Sequence, residues 1–531
     1  MKKRILASIL ALLMITVLVT GCGGKKTGTG VVDIELAKEI EALDGDLCSK
    51  EPITLTIHLF NGTPFDDEKW TMYHEAARLT NITLTGTIAQ SQAEAAQAFN
   101  MMLLEDTLPD IIYSSTTNLN DAGVKEKALL NIRDYVTNPD IMPNLAAIYA
   151  EHPDYLIAIT AEDGGVYMCP KLREAGPTQA WYTRADWMEK LGLEDPKTFD
   201  EFVNVMDKIR NGDPNGNGKK DEVPYFGNYK DLFYFFGLNG DRYWDLDEAT
   251  GEMYTPMLTE NYKTALIYLA DWYKKGYIDQ EIFTRKNPRG TLWGQNLGAM
   301  TFGWFSSTMS YNEQIKNIPG FHVSVMMPPS NIHGDPGYCH SPGTIVQKTG
   351  WGISVDNKYP TETLKFFDFF YSEKGSLLNA MGVEGRDFTY VNGEPKYTDL
   401  ALNYEGGAPT YVRDIGCVDI GYYMRQKWLV SGMTEEAAAG LNRYINEIET
   451  CELLPPYNFT ADEQQVIDTE WVACQTKIDE YMQQAIYGTV DVNATWDSYV
   501  AQIKGLGIDK VAKAHTSAYK RYAEAVAAVA K

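Results

Sequence analysis

The sequence predicts an α/β protein of two lobes with a helical C-terminal part. Three observations lead there. The chain has 531 residues and is 44% hydrophobic, more than the roughly 250–300 residues at which a single core stops growing. Strand-like and helix-like signals alternate along most of it. Beyond Thr460 the pattern turns wholly helical.

The N-terminus sets the compartment. Lys2, Lys3 and Arg4 precede an apolar run from Ile5 to Leu18, the basic and apolar parts of a secretory signal peptide. A spanning helix needs about 20 such residues. Val19-Thr20-Gly21-Cys22 follows, small residues before a cysteine, as in a lipobox. The expectation is signal removal at residues 1–21, diacylation of Cys22 with palmitate-type chains, and a linker over 22–50 that begins with a glycine- and lysine-rich tether. The protein would then sit on the outer face of the cell membrane.

Formal charge is −25, and without the three leader cations 44 basic residues face 72 acidic ones. Such a surface repels nucleic acid. Besides Cys22 there are Cys48, Cys169, Cys339, Cys417, Cys451 and Cys474. Their spacing shows no zinc pattern and leaves disulfide pairing open, and most are expected as buried thiols.

Ile53 to Phe60 alternates as a strand and ends at Asn61-Gly62, and Leu108 to Tyr113 reads as another, followed by the polar turn Ser114 to Asn118. Ligands of open α/β sheets sit at such strand ends. Ala180 to Trp187 leads into a helix, Thr198 and Glu201 form a capping box before Phe199, Phe202, Met206 and Ile209, and strands return at Leu297–Trp304 and Trp351–Val355. A second capping box, Thr460 and Glu463, opens the C-terminal helices, and Tyr519 to Lys531 reads as a terminal amphipathic helix.

The most explicit local chemistry is Asp213-Pro-Asn215-Gly-Asn217-Gly-Lys219-Lys-Asp221-Glu222. Side-chain oxygens recur at positions 1, 3 and 5 with glycine at 6, as in an EF-hand loop, which favours a structural Ca2+. The Lys219 carbonyl supplies the next ligand. Position 12 is Pro224, so Asp221 and Glu222 must provide the carboxylates. The alternative is a solvated Asn-Gly turn.

The chain also has 11 Trp and 33 Tyr. Apolar sugar faces stack on such rings. Trp304, at a strand end, is the first candidate, with Ser307 as a hydrogen-bonding partner and a core position for the ring as the alternative. Tyr113, Trp181, Trp244 and Trp351 are secondary candidates with core packing as the alternative, and Arg386 could fork onto a carboxylate or hydroxyl pair, with an ordinary surface salt bridge as the alternative. Arg184 reads as structural and His58 as a packed histidine.

Trp181–Gly192, Leu297–Ser307, Gly382–Phe388 and Gly488–Gly507, in that order, resemble the extracellular solute-binding proteins of carbohydrate ABC importers, in particular the lipoprotein branch containing alginate-oligosaccharide binders. The calcium loop resembles that branch too, including the consecutive Asp-Glu, and a tryptophan placed like Trp304 stacks on sugar there. The resemblance implies a periplasmic-binding-protein-like fold with hinge crossings near Pro170, Thr301 and Trp351. Its lobes would be 51–170 plus 301–350 and 171–300 plus 351–531, closing on an oligosaccharide that is passed to the permease subunits. It implies an oligosaccharide ligand, a monomer and no enzymatic role. The competing classes are a secreted glycoside hydrolase or lyase and a calcium-dependent surface adhesin. No GxSxG, HExxH or Walker motif is present in the sequence.

Overall fold

The computed structural model describes residues 31–59, 68–86, 91–105, 107–240, 242–308, 311, 315, 317–339, 345–417, 420–451 and 454–529. Cys22, the signal segment and Asn61-Gly62 lie outside them.

A six-stranded sheet builds the first lobe. It consists of β1 (Ile53–Leu59), β2 (Ile82–Gly86), β3 (Ile111–Ser115), β4 (Cys169–Arg173), β11 (Val346–Ile353) and β14 (Tyr423–Met424), in the order β14-β4-β11-β3-β1-β2. β1 lies parallel to both β2 and β3, whereas β11 runs antiparallel between β3 and β4. Burial on both faces explains the apolar run of Ile111, Ile112 and Tyr113 in β3. Leu55, Ile57, Ile353, Phe366, Phe367 and Phe370 complete this core.

The second sheet, β10-β5-β9-β6, combines β5 (Gln179–Arg184), β6 (Val223–Tyr225), β9 (Gly298–Trp304) and β10 (Val323–Met326). Around it pack Phe202, Phe235, Leu266, Trp272, Ile478, Trp496 and Val511, a second and separate core. Two hairpins stand apart from both sheets, β7 (Asp245–Asp247) with β8 (Glu252–Tyr254) and β12 (Phe388–Val391) with β13 (Glu394–Tyr397).

The two-lobed α/β architecture is as predicted, but three boundaries shift. β9 and β10, within the stretch expected in the first lobe, belong to the second, because β9 pairs with β5 and β6, and β10 with β5. Residues 351–371 belong to the first, because β11 is central to its sheet and Phe366, Phe367 and Phe370 fill its core. Within the expected linker 22–50, Ile34–Glu41 is a helix capped by Asp33, and Ala37, Ile40 and Cys48 are buried against the first lobe. The chain therefore crosses between lobes at Glu174–Thr178, between Cys339 and Ile345, and at Met424–Gln426, rather than near Pro170, Thr301 and Trp351.

The crossings are tied together. Glu174 accepts a hydrogen bond from the Gln426 N–H at 2.8 Å and meets Arg425 at 3.4 Å, and its own N–H donates to Met424 O at 3.0 Å. The C-terminal capping box forms in full: the Thr460 side chain accepts from Glu463 N and the Glu463 carboxylate from Thr460 N. At the earlier one Thr198 accepts from Glu201 N, but Glu201 reaches back to Lys197 N instead. The last helix runs from Ile508 to Val529 and touches both lobes, packing beside Pro153–Ile159 and β8.

Candidate functional site: a hinge platform and an acidic loop

Trp304 ends β9 where the second lobe meets the first crossing. Backbone pairing with Gln179 and a Phe305 N–H bond to Thr178 O (3.1 Å) hold it there. The residue is 43% exposed, uncommon for so large an apolar group, and the Arg173 guanidinium stands 5.8 Å from its ring centroid. Arg173 ends β4 in the other lobe and donates to Met424 Sδ, so residues from both lobes meet at this ring. A flat apolar face with a cation beside it is suited to the C–H face and hydroxyls of a sugar. Lys171, two residues earlier on the same strand face, lies 5.6 Å from the Tyr422 ring. Sequence reasoning missed Arg173. The alternation Lys171-Leu172-Arg173 beside a crossing was the available signal.

Ser307 lies in the turn that follows Trp304, with its side chain outside the described residues. The remaining aromatic candidates are corrected. Trp181 is fully buried, with Phe202, Phe235 and Phe302 around it in the second core. Trp351 is fully buried and stacks on Phe367 at 4.1 Å in the first. Trp244 is buried against His515 (4.2 Å) and Trp471. Tyr113 is buried in β3, between Leu59 and Trp351 in register. Arg386 pairs with the buried Asp387 at 3.4 Å beside the β12–β13 hairpin, a structural ion pair. Desolvation made each of these rings a core element: burying one removes about 150–250 Å² from water.

Arg184 and His58 are structural, as their settings suggested. Arg184 is sandwiched between Trp187 and Phe321 and bonded bidentately to Asp186, while buried His58 meets Ala95 O at 2.9 Å. Among the described residues the six cysteines are free thiols, four of them buried.

The acidic loop begins at the end of the helix Phe199–Gly212. Asp213 adopts φ +48° and Gly218 φ +75°, the left-handed turns that fold the segment back on itself. Asp213 accepts from the N–H groups of Asn217 and Gly218 at 3.0 Å, and Asn217 Oδ1 from Lys219 N at 2.8 Å. The amides of Asn215 and Asn217 donate to Asp221 at 3.1–3.3 Å. Glu222 is different. It is fully buried, neither carboxylate oxygen makes a well-formed hydrogen bond, and burial raises its pKa, opposed by its own N–H and that of Asn215, with Asp221 and Asp213 adding smaller upward pushes. A buried carboxylate without well-formed hydrogen bonds is costly unless a cation meets it. Among the described residues no three His, Cys, Asp or Glu side chains gather closely enough to hold an ion by themselves. An oxygen set here depends on Asn215 and Asn217 turning Oδ1 inward and on the Lys219 carbonyl. Beyond the loop, Val223 N donates to Leu297 O and Asn215 to Asn296 O, linking it to the start of β9.

Comparison with known proteins follows this geometry. Residues 75–376 match the family of bacterial extracellular solute-binding proteins, and residues 455–524 a domain of unknown function. The solved alginate-binding protein AlgQ2, described as without calcium ion, is similar at 30% identity and TM-score 0.77, over 90% of this chain and 99% of that one. The fructooligosaccharide ABC transporter substrate-binding protein FusA of Streptococcus pneumoniae serotype 4 is 28% identical over 352 residues, which are 61% of this chain and 62% of that protein. Lipoprotein LipO of Bacillus subtilis is 23% identical over 268 residues, half of its length. No helix among the described residues is long and apolar enough to cross a membrane.

Proposed function

As the chain belongs to the bacterial extracellular solute-binding protein family, we propose that it is the substrate-binding component of a carbohydrate ABC importer, taking an oligosaccharide between its lobes. The observation that carries this reading is the Trp304 ring, half exposed at the hinge with Arg173 of the other lobe beside it. A sugar stacked on Trp304 and bonded to Arg173 sits where the lobes already meet, and the further contacts it gains as they close shift the population toward the closed form. The names of FusA and AlgQ2 support an oligosaccharide as the ligand class. The closed shape is what the permease subunits receive. The chain acts as a monomer without enzymatic activity, held to the outer membrane face by a lipid on Cys22.

The acidic loop holds a structural calcium ion through Asp213, Asn215, Asn217, the Lys219 carbonyl, Asp221 and Glu222. The ion supplies charge neutralisation to Glu222 and fixes the loop against β9. A hard-oxygen donor set of this kind suits Ca2+.

The test is a thermal-shift screen of the unacylated mature protein against fructo-, alginate and pectic oligosaccharides, with calcium and after chelation, followed by product analysis. A sugar that raises the melting temperature and is recovered intact supports the reading. A sugar recovered cleaved makes the protein an enzyme and overturns it.

A further inference from the structure

The first lobe carries a groove of its own, apart from the crossings and from Trp304. It holds about 670 Å³ between the helices Thr71–Thr80 and Glu373–Met381 and the strand β12, within the range of roughly 300–1,000 Å³ found for small-molecule sites. Leu79, Leu377 and the buried Phe388 give it an apolar lining. Tyr390 adds a ring 5.9 Å from that of Phe388 and is 48% exposed; among the described residues no aromatic side chain is more open to solvent, Trp304 included.

The ring stands on a fixed support. Gly385, at φ +79°, turns the chain from the helix into the hairpin, and its N–H donates to Phe388 O at 2.8 Å. Asp387, buried beneath the turn, accepts from Val383 N at 2.7 Å and from the Tyr411 hydroxyl at 2.5 Å. No atom stands within 4 Å of where a Cβ on Gly385 would lie, so the groove is open at this edge. A platform already held in place loses little freedom when a ligand settles on it.

The polar groups of the groove decide what fits. Arg78 is bonded to Glu75 through two nitrogens at 2.5 and 2.8 Å, and Lys374 pairs with Asp46, so both cations of the wall are already matched. Glu373 meets Lys427 at 3.3 Å, whereas Glu384 is exposed and pairs with no cation among the described residues. Burial first, then Glu384 and Glu373, raises the Tyr390 pKa, so these carboxylates lie near the phenol. An acidic ligand would meet a free carboxylate and no unmatched cation. Hydroxyl donors suit Glu384, and an apolar C–H face suits the ring. A concave space of this size encloses a small ligand rather than the broad, flat face of a protein partner.

We propose that this groove is a second sugar site, which takes a short stretch of neutral sugar stacked on Tyr390 with its hydroxyls donating to Glu384. It lies on the first lobe alone and works without lobe closure. The proposal rests on the carbohydrate reading above. A longer glycan held there keeps its other segments beside the protein and raises their effective concentration at the cleft.

The experiment is affinity electrophoresis of the unacylated mature protein in native gels containing dextran, inulin or a neutral galactan, with polygalacturonate as the acidic counterpart. Wild type, Tyr390→Ala, Glu384→Gln and Trp304→Ala are compared, each first shown to keep a cooperative melting transition. The expected result is that a neutral polymer retards wild type and W304A alike, that Y390A binds it about two- to tenfold more weakly, and that E384Q loses less. Y390A and E384Q should keep wild-type affinity for the oligosaccharide found in the thermal-shift screen. Y390A retarded like wild type, retardation abolished in W304A, or retardation by polygalacturonate alone overturns the proposal. A wild type that no neutral polymer retards leaves the Tyr390 ring to a protein partner and overturns it too. The gel reads the groove and the screen reads the cleft: no retardation with a sugar found in the screen strikes the groove alone, and retardation lost in Y390A with no sugar found in the screen supports the groove and strikes the cleft.

Discussion

Two buried carboxylates, one in each lobe, are treated in opposite ways. Asp368, deep in the first lobe, lies at the N-terminus of the helix Pro143–Glu151 and accepts three hydrogen bonds, from Asn144 N, Asn144 Nδ2 and Leu145 N at 2.7–3.1 Å. Glu222, in the acidic loop of the second, accepts no well-formed one and faces two further acids. The fold supplies hydrogen-bond donors to the first and no well-formed one to the second. The tryptophans divide the same way. Trp181 and Trp351 are enclosed by their cores, whereas Trp304 keeps a face in solvent. Groups whose chemistry is completed within the fold serve stability, and groups left incomplete are the ones on which the proposed sugar and calcium sites rest.

The largest expected effect tests the enclosed side of that contrast. Trp351→Ala should destabilise by about 3–5 kcal/mol, the range for emptying a core aromatic site, read as a lower denaturation midpoint at unchanged slope. A loss under 1 kcal/mol would show that the first core does not depend on it.

Calcium tests the incomplete side. Added at about one hundred times its dissociation constant, it should stabilise wild type by about 2.7 kcal/mol, with Glu222→Gln losing most of that gain while melting normally in chelator. Equal melting temperatures with and without calcium would make the loop a solvated turn.

Titration separates the two carboxylates further. Burial lifts the Asp368 pKa to about 6, with the Leu145 and Asn144 hydrogen bonds pulling against it. The folded state then holds a proton that the unfolded chain has already released above its ordinary value near 3.9. The stabilising contribution of that proton is complete below about pH 4 and is lost as pH rises through 6. Relative to Asp368→Asn, wild type should lose on the order of 2 kcal/mol between pH 4 and 7. A pH-independent difference between the two would show that Asp368 is ionised throughout.

Legibility followed sequence distance. The turn-forming acidic loop was readable because its residues are close in sequence, and its Asp and Asn side chains do bond within the loop. The lobes were readable from length and alternation. The crossings were not, because β9 and β11 have similar apolar compositions and only pairing partners, β5 for one and β3 with β4 for the other, decide their lobes. The same holds for the tryptophans: Trp181, Trp244 and Trp351 sit beside turns or polar residues in the sequence, and only the three-dimensional neighbours Phe235, His515 and Phe367 reveal them as core. Arg173 escaped notice because its partner ring is 131 positions away along the chain.

Trp304 gives the smallest effect on the protein and the most direct one on its use. Its ring contributes little to either core, so Trp304→Ala should leave the melting temperature of the sugar-free protein within a degree or two of wild type. Aromatic contacts are worth about 0.5–1.5 kcal/mol beyond area burial, so sugar affinity should fall about tenfold by calorimetric titration, with Trp304→Phe retaining part of it. Stacking on Trp304 should also change tryptophan emission on binding, and that change should shrink in the variant. If affinity were unchanged while stability fell by several kcal/mol, Trp304 would belong with Trp181 and Trp351, and the sugar would have to rest on other residues of the hinge face, with Arg173 and Lys171 the first to replace.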